Sequence, residues 1–275
     1  MVQLMNRLFL CSMKKTIACL LPMMAFVCGV NAQPSTWHNE TRTVHYQPDG
    51  QDFLTVNGTR RFNRALYGGN TAFRVEAGDL PEFALYLPGM GGNLQFGLIR
   101  GDKTKWLIYA DRIEARYRAG SMLYRITDSL LQGGEIIVSV LALYDQEGLI
   151  VKLESGAVGN DLQLVVAYGG ATGTKFSRDG DIGADPESSF YLKPEYCRGN
   201  AYRLQQNKFE LLFSPKRVLT EQQRYEIQYG KDTIQDTAYR DMRSITGVFP
   251  RNITLHEADA TELQTPMNFL HSRVK

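Results

Sequence analysis

The stretch from Ser177 to Asn200, SRDGDIGADPESSFYLKPEYCRGN, gathers Asp179, Asp181, Asp185, Glu187 and Glu195 among glycines and prolines. Acids at that density suit calcium ligation, glycosidic acid/base chemistry, or the solvation of a long connection. For calcium, Asp179, Asp181, Gly183 and Asp185 alternate as hard oxygen ligands around one cation do. An EF-hand loop begun at Asp179 needs glycine at its sixth place and a bidentate glutamate at its twelfth, and those places hold Ala184 and Phe190. An irregular calcium site at Asp179, Asp181 and Asp185 is the one cofactor candidate left open; no other cofactor is implied. For a glycosidase, two carboxyls about 5 to 10 Å apart across a cleft can protonate a leaving oxygen and activate a nucleophile. The spacing here selects no pair, so the solvated connection is the favoured reading and no catalytic residue is assigned.

Other chemistries find less. No Gly-x-Ser-x-Gly elbow occurs, and His38, His45, His256 and His271 form no His-x-x-x-His or Cys-x-x-Cys spacing, which argues against a triad and a zinc site. The segment 87–97 (LPGMGGNLQFG) lacks the Lys-Ser/Thr end of a phosphate loop and reads as a turn between strands. Trp37, Trp106, Tyr109, Tyr117 and Tyr124 offer flat faces to sugar rings, against the alternative that they fill a core.

The elements that must position these residues are strands. Runs at 82–87, 94–100, 105–110, 112–118, 121–127, 135–144, 148–154, 161–168, 209–213 and 224–229 are apolar, aromatic or β-branched. In 112–118, Ile113, Ala115 and Tyr117 alternate with Arg112, Glu114, Arg116 and Arg118, the period of a strand with one wet face. Ile136 to Tyr144 is apolar almost throughout, which predicts a central strand covered on both faces. Ala119-Gly120, Gln132-Gly133-Gly134 and Asp145 to Gly148 read as hairpin turns, so neighbours are antiparallel. The expected architecture is all-β: a large antiparallel β-sandwich over residues 33–253. Residues 254–275 read as a partly helical linker, interrupted by Pro266, toward a downstream module.

The amino end fixes the compartment. Met13 is the better start: Lys14 and Lys15 precede an apolar run from Ile17 to Val30, and small residues end at Ala32. Residues 1–32 therefore read as a signal peptide cleaved near Ala32, which places the chain in the periplasm or outside the cell. No later apolar stretch is long enough for a membrane span. The leader holds Arg7, Lys14 and Lys15 of the 31 basic residues and none of the 29 acidic ones, so the rest is near neutral. That argues against a nucleic-acid or anionic-membrane surface built on bulk charge and leaves only a local patch open. Cys11, Cys19 and Cys28 leave with the leader, so Cys197 has no internal partner and stability must come from the core. About 240 remaining residues suffice for one large core or two small ones.

The segment from Trp37 to Leu98 (WHNETRTVHYQPDGQDFLTVNGTRRFNRALYGGNTAFRVEAGDLPEFALYLPGMGGNLQFGL), with the acidic stretch, resembles the N-terminal region of secreted Bacteroidetes proteins in the domain-of-unknown-function class 4450. The resemblance implies a β-sandwich that precedes a six-hairpin, glycosidase-like helical module in polysaccharide-degrading proteins, with the acid and base in the helical barrel. It carries no established catalytic residues. It implies that the acidic stretch faces a glycan or the helical module, with Tyr191, Glu195 and Arg198 as contacts. The expected function is an accessory domain of a glycan-degrading enzyme, with polysaccharide or oligosaccharide as partner and the downstream helical module outside this chain. The alternatives are a free-standing carbohydrate-binding module, using Trp37 and Trp106, and an independent glycosidase.

Overall fold

The computed structural model describes residues 35–37, 40–42, 44–87, 90–170, 190–212 and 244–274. Residues through His45 form one unit and residues from Tyr46 a second. In the first, β1 (Ser35–Trp37) and β2 (Glu40–Arg42) pair as an antiparallel hairpin with Thr36 opposite Thr41.

The second unit begins with β3 (Gln47–Asp49), β4 (Asp52–Val56), β5 (Arg64–Leu66), β6 (Arg74–Ala77), β7 (Phe83–Leu87), β8 (Met90–Arg100) and β9 (Lys103–Trp106). It continues with β10 (Arg112–Arg118), β11 (Ser121–Thr127), β12 (Glu135–Ala142), β13 (Leu149–Gly156) and β14 (Gln163–Gly169). Last come β15 (Ala201–Gln205), β16 (Lys208–Leu212) and β17 (Ile245–Val248). One sheet runs β13-β12-β11-β10-β4-β3, a second β14-β8-β7-β6-β5 with β9 also on β8, and a third β15-β16-β17. All pairings among these strands are antiparallel, so the two large sheets form the expected all-β sandwich.

Period-two alternation puts Ile113, Ala115, Met122, Tyr124, Ile126, Ile136, Val138 and Val140 on the inner face of the first sheet. Phe83, Leu94, Phe96 and Leu98 meet them from the second, with the Phe83 ring 5.6 Å from Tyr124. Fully burying a side chain of this size stabilises the fold by about 1.5–3 kcal/mol. The Tyr124 hydroxyl, sealed in that layer, donates to the Gly78 carbonyl at 2.8 Å. Gly120, at φ 80°, supplies the reversal between β10 and β11.

Three local readings change, and a fourth is untested. The apolar run at 135–144 is a central strand, but it alternates: Ile137 and Ser139 are half-buried and Leu141 is exposed. Among the described residues no layer covers its outer face, and apolar residues there stand among the ion pairs Arg125–Glu135 and Lys152–Glu154. The glycine-rich segment 87–97 is largely strand, because β8 starts at Met90 and pairs Gly91 with Tyr86 and Gly92 with Leu85. Side chains there would strike the Leu85 carbonyl and the Tyr168 ring. The run 105–110 leaves the sheet at Trp106 and closes a 3-10 turn, Ala110 N–H donating to the Leu107 carbonyl at 3.1 Å. The strand expected at 224–229 lies outside the described residues.

The C-terminal segment packs back on the second sheet. Thr265 caps a short helix α1 (Pro266–His271), its hydroxyl accepting from Asn268 N–H at 3.1 Å. Pro266 opens this helix instead of breaking it, since the first helical position needs no N–H donor. Pro266 is buried over Gly97, where an added Cβ would lie 2.5 Å from its ring.

Candidate functional site

Three buried polar clusters come first, because each carries ionisable groups. Glu82, fully buried, accepts from Arg61 Nε at 2.6 Å and Nη2 at 2.5 Å, from Asn93 Nδ2 at 2.7 Å and from Gln95 Nε2 at 2.9 Å. The Arg61 guanidinium lies 3.7 Å from the centre of the Tyr191 ring, and Asn93 Nδ2 also donates to the Phe190 carbonyl at 2.8 Å. Asp79 accepts from the Tyr46 hydroxyl at 2.8 Å and Arg60 N–H at 2.9 Å; burial, then that bond, pushes the Tyr46 pKa up. Asp128 accepts from Lys105 at 2.7 Å, Asp111 N–H at 3.0 Å and Leu130 N–H at 2.8 Å. Each carboxylate is buried and accepts several hydrogen bonds that hold loops in place, the pattern of a structural carboxylate.

The concave site lies elsewhere. Tyr168 at the end of β14 stacks on Phe209 of β16 with centroids 5.0 Å apart, and Tyr202 of β15 meets the same ring edge-on at 5.7 Å. Phe249, just after β17, closes on Phe209 at 6.1 Å. Aromatic pairs of this kind hold a small third sheet that has few other buried side chains. Between it and residues 255–261 is a cavity of about 450 Å³. Tyr202, Phe209, Phe249 and Leu255 supply apolar wall, while Arg198, Asn200, His256 and Glu257 add polar groups.

Two bonds set that lining. A second short helix, α2 (Pro194–Cys197; the earlier of the two in the chain), delivers Arg198, and the Cys197 sulfur beside it accepts from Gly170 N–H at 3.1 Å. Burial pushes the Cys197 thiol up, so it is a neutral packing group. The far wall is fixed by Trp106, whose Nε1–H donates to the Leu263 carbonyl at 2.9 Å and whose ring meets Phe269 at 6.1 Å. Burial, with Arg273 next, lowers the His256 pKa, so the imidazole is neutral at pH 7. Burial raises the Tyr202 hydroxyl, with Cys197 and Glu257 adding to it. Aromatic and aliphatic wall beside neutral and charged hydrogen-bonding groups suits a polyhydroxylated ring or a protein side chain.

The residues expected from sequence are scattered. Arg198 lines the cavity, Glu195 is exposed on α2, and Tyr191 belongs to the Arg61–Glu82 cluster. Trp106 is 4% exposed, and the packing alternative describes it. Tyr124 is fully buried as well, while Tyr109 is exposed. Trp37 is described through its backbone in β1 only. Asp179, Asp181 and Asp185, and with them the calcium question, lie outside the described residues. Among the described residues no three His, Cys, Asp or Glu side chains are grouped to hold a metal ion, and no helix is long and apolar enough to cross a membrane. Tyr202, Phe209, Phe249 and Glu257 carry no signal in the sequence, and His256 enters it only as a histidine without zinc spacing, since Phe249 and residues 255–261 are remote in sequence from the β15–β16 hairpin.

A family model described as "Domain of unknown function (DUF4450)" matches residues 87–275. No curated protein and no solved structure matches the chain.

Proposed function

We propose, for a chain that belongs to the DUF4450 family, the role of an accessory β-sandwich in a secreted polysaccharide-degrading protein of the glycoside-hydrolase type. In this reading the domain contacts glycan through the cavity beside the third sheet and performs no bond cleavage of its own. The observation that carries it is the contrast between the two kinds of polar site. The buried carboxylates Glu82, Asp79 and Asp128 are each held by structural donors. The cavity, at about 450 Å³, instead combines exposed polar groups with aromatic wall, at a volume typical of small-molecule sites. The helical catalytic module, the Bacteroidetes source and the export of the chain belong to the same proposal and rest on the resemblance and the leader.

The test is titration of the purified chain with neutral oligosaccharides, together with an assay for released reducing sugar. Binding that weakens at least tenfold in Arg198→Ala and Glu257→Gln, with no sugar released, is the expected result. Turnover that disappears in Glu195→Gln would make the chain an enzyme and end the accessory reading.

A further inference from the structure

The most exposed large apolar side chains of the second unit include two tyrosines on loops that abut. Tyr144 is 87% exposed and Tyr67 59%. Tyr67 follows β5 in the second large sheet, and Tyr144 follows β12 in the first. The loops touch through glycine: a Cβ on Gly68 would lie 1.8 Å from the Leu143 carbonyl oxygen, and one on Gly69 3.0 Å from that of Tyr144. No side chain fits at Gly68, so the sequence Tyr67-Gly68-Gly69 brings two tyrosine-bearing backbones together where any bulkier residue would part them. Leu143 N–H donates to the Gly148 carbonyl at 2.8 Å, which holds the second loop as a closed hairpin.

We infer that Tyr67 and Tyr144 form a second saccharide-binding platform, separate from the cavity, whose ligand is a neutral pyranose chain. The loop composition selects that class. Neither 67–73 (YGGNTAF) nor 143–149 (LYDQEGL) contains lysine or arginine, so neither loop offers phosphate, nucleic acid or anionic lipid a cation of its own. Two tyrosines bury on the order of 150–250 Å² each, far below the roughly 800 Å² per partner of a stable protein interface. A sugar ring matches what remains. Its C–H face lies on a phenol, and its hydroxyls meet the exposed amide or carboxylate groups of Asn70, Asp145 and Gln146. Acceptor-rich loops carried on a rigid sandwich are a recurrent way of building such sites. The inference stands on these loops and not on the cavity.

The test is calorimetric titration of the full chain with neutral gluco-, xylo-, manno- and galacto-oligosaccharides. Tyr144→Ala and Tyr67→Ala are each expected to weaken binding of the preferred sugar by about tenfold, the loss of one ring contact. The double variant should abolish the tyrosine-dependent binding step while leaving any Arg198-dependent step in place, and Tyr144→Phe should keep it within a few-fold. Tyr109→Ala, which removes another exposed tyrosine, should leave it unchanged. Both rings project from the surface, so the variants should retain the parent unfolding midpoint. Weakening by Arg198→Ala alone, with the tyrosine variants silent, sinks the platform and keeps the cavity reading; the opposite pattern does the reverse. Absence of binding to every probe overturns the platform.

Discussion

Replacing Trp106 by alanine tests how the C-terminal segment is held. The indole is 4% exposed, contacts Phe269 at 6.1 Å and donates to the Leu263 carbonyl at 2.9 Å. Deleting a buried tryptophan costs about 3–5 kcal/mol in lost transfer energy and residual cavity. Trp106→Phe keeps a ring near Phe269 and loses the hydrogen bond, worth about 0.5–1.5 kcal/mol, plus part of the ring volume. Because Leu263 and Phe269 both belong to the C-terminal segment, some of the loss should appear as local opening rather than global unfolding. Urea denaturation followed by circular dichroism reads the global part, and hydrogen exchange across 255–274 reads the local part. The ordering Trp106→Ala worse than Trp106→Phe worse than parent is expected in at least one of the two. If neither stability nor exchange in Trp106→Ala moves beyond about 0.5 kcal/mol, the segment is not docked as described. If saccharide binding vanishes at unchanged stability, the indole is a ligand contact after all.

Glu82→Ala leaves Arg61 without its carboxylate and should destabilise by about 3 kcal/mol or more. The double variant with Arg61→Ala should recover part of that loss in urea titration, and no recovery would mean that the two do not act as a pair. Gly68→Ala, which places a Cβ 1.8 Å from the Leu143 oxygen, should cost about 1–3 kcal/mol and weaken any tyrosine-dependent binding; an unchanged unfolding midpoint would show that the seam can yield. The hydrogen bond from Lys105, followed by that from Ser129 N–H, holds the Asp111 carboxyl down at about 2. A depressed carboxylate contributes stability that is complete above its ordinary value near 3.9 and is lost as pH falls toward about 2. Lys105→Met should therefore flatten the fall in urea midpoint between about pH 4 and pH 2, and an acid limb as steep as the parent's would count against the contact.

Much of the sandwich is legible in the sequence where pairing is local. Arg112 to Arg118 and Ser121 to Thr127 alternate cleanly and flank a glycine with positive φ, so both strands and their hairpin follow from neighbouring residues. The outer face of β12 misleads because Ile137 is only half-buried and Leu141 exposed though both are apolar, and composition cannot say which face meets a second layer. Pro266 misleads for a different reason: the same ring breaks a helix interior and favours its first turn, and only the Thr265 cap decides between them. Trp106 is opaque from sequence because its hydrogen-bond partner is 157 positions away. The candidate cavity is harder still, since Tyr202, Phe209 and Phe249 meet only after three strands have paired.

The strands that flank β8 bear on how the chain reaches this state. β10 to β13 are consecutive hairpins, but β8 acquires its outer neighbour only when β14 returns and Leu164 meets Leu98. Closing so long a loop is slow compared with zipping hairpins, so the meander assembles first. In that interval the edge from Asn93 to Ile99 is an unpaired, apolar template open to other chains. Renaturation yield is thus expected to depend on how crowded the refolding molecules are, even where the finished protein is stable.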